Sequence, residues 1–263
     1  MKLFSRNYDR PGPGVSKDEP RKKGAARFFE VLFRDFFDLV KLNVLFLLCI
    51  APAAAAYILG LFGYAPGIAY LVSLALAFPI GGAAVACVFC ITKLLRDDPG
   101  YIWHEFKRKF LENFKQAAAP GIVCTAIIEV QILMWIPLLL GEAEMGIAWV
   151  SIMFIVLLIF GMVSPYVFIL FAYVNLKTFQ TVRNGILLSL ANAPRSLAGA
   201  VFGGVLWIAL ALFLPLSLFF LPLIALIGFS LSALLSFMWV WPPIDKQFAI
   251  EETLNARREK ENE

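Results

Sequence analysis

Long apolar runs alternate along this chain with polar stretches of two kinds. One kind carries charges at helical spacing, and the other is a short glycine- and proline-containing turn with no lysine or arginine. Across 25–41, Arg27, Glu30, Arg34, Asp38 and Lys41 form a polar line while Phe28, Phe29, Val31, Leu32, Phe36, Phe37 and Leu39 fill the remaining surface. That spacing predicts an amphipathic helix lying along a membrane surface. Apolar runs follow at 44–62 and 69–95, joined by GYAPG, and each is long enough to cross a hydrocarbon layer of about 30 Å.

The longest internal polar passage is KLLRDDPGYIWHEFKRKFLENFKQAAAP at 93–120. Its spacing predicts a second surface helix over 98–117, with Trp103, Phe106, Phe110 and Phe114 as one aromatic stripe and Glu105, Arg108, Lys109, Glu112 and Lys115 toward the other side. Further spans are expected at 121–140 and 147–175, joined by GEAEMG, and then a third amphipathic helix over 177–195. The run 197–241 is too long for one span; Pro215 and Pro222 mark an outer break that divides it in two. The expected fold is therefore all-α and polytopic: six transmembrane helices as three hairpins, each preceded by an amphipathic helix. LENFKQA at 111–117 weakly echoes LANAPRS at 190–196, so the hairpins are either a true repeat or three unrelated units.

Composition agrees with this pattern. Of the 263 residues, 60% are hydrophobic and only 16% charged, 25 are Phe, and the mean hydropathy is +0.79, which excludes an ordinary soluble domain. The net charge of +4 matters less than its segregation. By the positive-inside rule the basic stretches face the cytoplasm, so both termini are inside a plasma membrane and the number of spans is even. The apolar runs begin only after a charged stretch of more than forty residues, so no cleavable signal peptide is expected. Residues 1–24 form a polar tail expected to be poorly ordered, 25–241 a single membrane domain, and 242–263 a cytoplasmic tail with a short helix. Arg21, Lys22, Lys23 and Arg27 either attract anionic inner-leaflet lipid, by about 1 kcal/mol per charge, or serve only to set topology.

Few residues suggest chemistry. Glu129 is the only acid deep in an apolar run; with Gln131 nearby it marks either a midplane site or a neutral packing residue. Pro79 with Gly81 and Gly82, and Gly161 with Pro165, are expected to interrupt two spans, as in a transporter's midplane site or as ordinary kinks and close packing. Gly199 and Gly203 form a GxxxG that reads as packing within the chain. His104 lacks a metal-ligand neighbourhood, and Cys49, Cys87, Cys90 and Cys124 give no disulfide framework. No nucleotide loop, nucleophile elbow or HExxH occurs, so no catalytic residue, cofactor, metal or nucleic-acid partner is expected. The aromatic stripe anchors its helix in lipid, packs it beneath the bundle, or docks a partner.

Taken in order, RPGPGVSKDEPRKKG, FFEVLFRDFFDLVKLNVLFLL, DDPGYIWHEFKRKFLENFKQA and LANAPRSL resemble the YesL-like integral membrane proteins of Gram-positive bacteria. The resemblance implies an accessory role beside carbohydrate ABC importers, with permease subunits as partners, and supplies no catalytic residues. The alternative reading is a small transporter or channel with a midplane site around Glu129.

Overall fold

A computed structural model describes residues 21, 22, 24–98, 100–141, 146–212, 214–254 and 256. Most of the 1–24 tail, most of the GEAEMG turn and the end of the C-terminal tail lie outside the described residues. The helices, in order, are α1 (Ala25–Arg34), α2 (Phe36–Leu61), α3 (Pro66–Leu76), α4 (Phe78–Leu95), α5 (Ile102–Asn113), α6 (Ala118–Leu139), α7 (Ile147–Tyr173), α8 (Thr178–Ala191), α9 (Ala193–Leu212) and α10 (Leu214–Phe248). No strand occurs among the described residues. The protein is an all-α polytopic membrane protein. α2, α4, α6, α7 and Ala225–Phe248 of α10 are each long and apolar enough to cross a bilayer, and α8 with Ala193–Ala209 adds a sixth segment bent by 99°.

Local chemistry sets the breaks. α1 ends at Arg34, which turns back at 2.6 Å onto the carboxylate of Asp35, the one residue that separates it from α2. The amphipathic helix expected over 25–41 therefore stops at Arg34, and Phe36–Lys41 open the first span. The expected span over 69–95 is also divided, at Ala77. Pro79 cannot donate to the carbonyl four residues before it and its ring crowds that carbonyl, so α4 restarts with the proline in its first turn. Pro165 does not interrupt α7, which runs unbroken from Ile147 to Tyr173. That correction has a local cause: a proline is tolerated inside a membrane helix where neighbouring helices support it, and Gly161 lets α9 approach α7 at Ala200.

α4 is the axis of the bundle. In its membrane-length window 72% of the residues are buried, against 11% for α6 and 6% for α7. It packs on α2, α5, α6, α7 and α10, and Val85, Ala86, Cys90 and Ile91 are wholly enclosed. Leu48, Leu59, Ile152 and Phe154 instead face outward, as expected where the surrounding medium is lipid rather than water. The middle hairpin is splayed, since α6 packs mainly on α4 while α7 packs on α4, α8 and α9. Every described lysine and arginine lies at one end of the bundle, near the starts of α2 and α6 and the ends of α4, α7 and α10.

Candidate functional site

The basic end is built on the C-terminus of α4, whose last carbonyls have no partner within the helix. Arg34 donates to the Leu94 carbonyl at 3.1 Å, Arg27 to Leu95 at 2.6 Å and Arg21 to Arg96 at 2.8 Å. Guanidinium groups also suit the negative end of the helix dipole. Asp97, at φ 59° in the left-handed region, turns its carboxylate back onto Arg27 at 2.7 Å, onto Arg34, and onto Arg21 at 3.5 Å. Burial pushes the Asp97 carboxyl up, but the bonds from Arg27 and Arg34 outweigh it and hold the group below the usual carboxylate range. Arg21 reaches Glu251 at 3.0 Å, and Lys22 reaches Glu30 at 3.4 Å. Arg21, Lys22 and Arg27 are thus engaged by acidic partners within the chain, and Lys23 lies outside the described residues.

Beneath this layer Arg96 is buried. It donates to the Thr92 carbonyl at 3.3 Å and the Tyr173 hydroxyl at 3.1 Å, pairs with Asp98 at 3.0 Å, and lies 5.2 Å from the ring centres of both Tyr173 and Trp241. One side chain therefore joins α4, α7 and α10. Sequence reasoning missed it, because a charge in KLLRDDPG reads as solvated.

The aromatic stripe of α5 divides. Phe106 is 5% exposed and stacks on Phe110 at 6.2 Å; Phe110 meets Phe114 edge-on at 5.2 Å, and Phe114 meets Phe78 of α4 at 5.4 Å. These three residues pack beneath the bundle and are not a contact surface, a consequence of Gly82 leaving α4 open to the backbone of Phe110 and Phe114. Trp103 is 63% exposed, beside Tyr101 at 87%. Glu105 ties α5 to α4 through Lys93 at 2.7 Å and also pairs with Arg108. Burial raises the Glu105 carboxyl, but those two cations bring it below its ordinary range.

Inside the membrane region, Glu129 and Gln131 are both buried but serve different neighbours. The Glu129 carboxyl meets Ser73 of α3, whose hydroxyl also bonds the Ala53 carbonyl of α2 at 2.8 Å; Tyr57 donates to the Glu129 backbone carbonyl at 2.7 Å. Ser73 thus faces two acceptors, the Glu129 carboxyl and the Ala53 carbonyl, and links α2, α3 and α6. Gln131 instead donates to the Met153 carbonyl of α7 at 3.2 Å and accepts from Trp135 at 2.9 Å. The two residues form no common site. Glu129→Gln keeps an oxygen that accepts from Ser73 and should leave the thermal midpoint unchanged, whereas Glu129→Leu should lose about 1–3 kcal/mol by removing that buried acceptor. Thermal unfolding of the detergent-solubilised variants checks this.

A further buried polar group was not legible as such. Asn43 of α2 donates to the Ala225 carbonyl at 2.5 Å and accepts from the amides of Phe229 and Ser230 at 2.8 and 3.1 Å, bridging the hydrogen-bond ladder of α10. The available signal was an amide at the edge of an apolar run.

The glycines form helix crossings rather than a substrate site. A Cβ on Gly81 would collide with the Ala117 carbonyl, and one on Gly121 would collide with Gly81 itself. Gly199 and Gly203 lie against Ser232 and Ser236 of α10, so GxxxG joins helices of one chain. His104 is exposed, the four cysteines are free, and no metal-holding cluster occurs among the described residues. Compared with protein families, with curated proteins and with solved structures, the chain matches none.

Proposed function

We propose that this chain is a non-enzymatic plasma-membrane protein, with both termini cytoplasmic, that acts as an accessory subunit of a carbohydrate ABC-type importer and contacts its permease. The orientation follows from the basic residues gathered at one end. The observation that carries the partner reading is the division of α5: Phe106, Phe110 and Phe114 hold one side rigidly on α4, while Trp103 is left outside on a helix already fixed in place. An exposed tryptophan on a helix already held in place is the kind of anchor that protein interfaces favour. The YesL-like resemblance supplies the class of partner.

Trp103→Ala should cut the amount of permease captured severalfold while leaving yield unchanged. Phe106→Ala, which opens the packed side, should lower yield as well. A Trp103→Ala protein that captures permease normally, or loses yield and capture together, overturns the assignment. A small transporter working through Glu129 is the weaker reading, because Ser73 and Tyr57 already engage that residue.

A further inference from the structure

The chain contains no acidic residue between Glu144 and Asp245. Within that stretch lies α8, which turns by 99° into α9 and so lies across the direction of the neighbouring span. The bend is built in: the Ser196 hydroxyl reaches the Ser189 carbonyl at 2.7 Å and the Tyr166 hydroxyl of α7 at 3.1 Å. Thr181, Gly185 and Ser189 form the buried face of α8, and Gly185 brings it against the backbone of Val167.

The opposite face is formed by residues three and four apart. Phe179, Ile186, Leu187 and Leu190 are exposed there, Phe179 by 79%, and Arg183 lies among them. Lys177 stands exposed at the start of α8, and Arg195 stands exposed just past the bend, in the first turn of α9. Among the described residues none of these three cations makes an ion pair, in contrast to Arg21, Lys22, Arg27, Arg34 and Lys41, which all do. An apolar face bordered by uncompensated cations, on a helix lying across a span, is complementary to a negatively charged lipid surface.

We infer that α8 docks anionic phospholipid, with Lys177, Arg183 and Arg195 at the headgroup phosphates and Phe179, Ile186 and Leu190 in the acyl boundary. This inference rests on the membrane assignment and is independent of any permease contact.

The test titrates the detergent-solubilised full-length protein with phosphatidylglycerol or phosphatidylcholine and counts bound lipid by native mass spectrometry. Phosphatidylglycerol should bind roughly tenfold more tightly or better, and each cation removed should weaken it about fivefold. The K177Q/R183Q/R195Q variant should lose the preference. K41Q should retain it, because Asp38 already pairs with Lys41. A photoactivatable phosphatidylglycerol should label residues 177–195 of the unaltered protein, a measurement that needs no variant to fold. Equal binding of both lipids, a preference surviving in the triple variant, equal loss in K41Q, or labelling confined to other segments overturns the inference.

Discussion

Arg96→Met should cost about 3–5 kcal/mol of stability, the largest loss expected from any single change at the basic end. The Arg96 and Asp98 side chains of the ion pair are 4% and 9% exposed, so removing the guanidinium leaves Asp98 in a desolvated place without this cation. The Tyr173 hydroxyl loses a donor in the same step, and the rings of Tyr173 and Trp241 lose the cation between them. Adding Asp98→Asn to Arg96→Met should recover part of the loss, because it removes the acidic partner of the deleted guanidinium. Thermal unfolding of both variants, followed by size-exclusion chromatography in detergent, gives the comparison. A single variant as stable as the parent would show that Arg96 does not join the three helices energetically.

The second large effect belongs to the crossing of α4 and α6. Gly81→Ala and Gly121→Ala should each cost about 1–3 kcal/mol or more, since the added methyl meets backbone that cannot rotate away. Gly67→Ala is the matched control: it has open space around it, and its change should be neutral. The same unfolding measurement separates them, and equal stability of all three would contradict the close approach of α4 and α6.

The pattern of apolar and polar positions made the helical class and the segregation of charge legible, because both follow from periodicity and composition. The Ala77 break was signalled by Pro79, whose missing amide acts within one turn. Pro165 carried the same local signal without the same outcome, since tertiary support decides whether a membrane proline breaks a helix. Side-chain direction decided the rest. Four aromatics at helical spacing looked equivalent, yet helix packing buried Phe106 and left Trp103 outside. Basic residues likewise looked interchangeable along the chain. Arg21, Arg27 and Arg34 become caps only because α4 ends beside α1, and Arg96 becomes a buried joint only because α7 and α10 close over it. Those relations depend on contacts distant in sequence, which periodicity does not record.

The most direct test of the accessory-subunit account is crosslinking in native membranes, followed by mild solubilisation, capture through a tag on this chain and identification of the linked peptides. The account predicts a carbohydrate ABC permease joined through residues near Tyr101 and Trp103. Recovery of the chain alone, under conditions in which established membrane complexes survive, would contradict it.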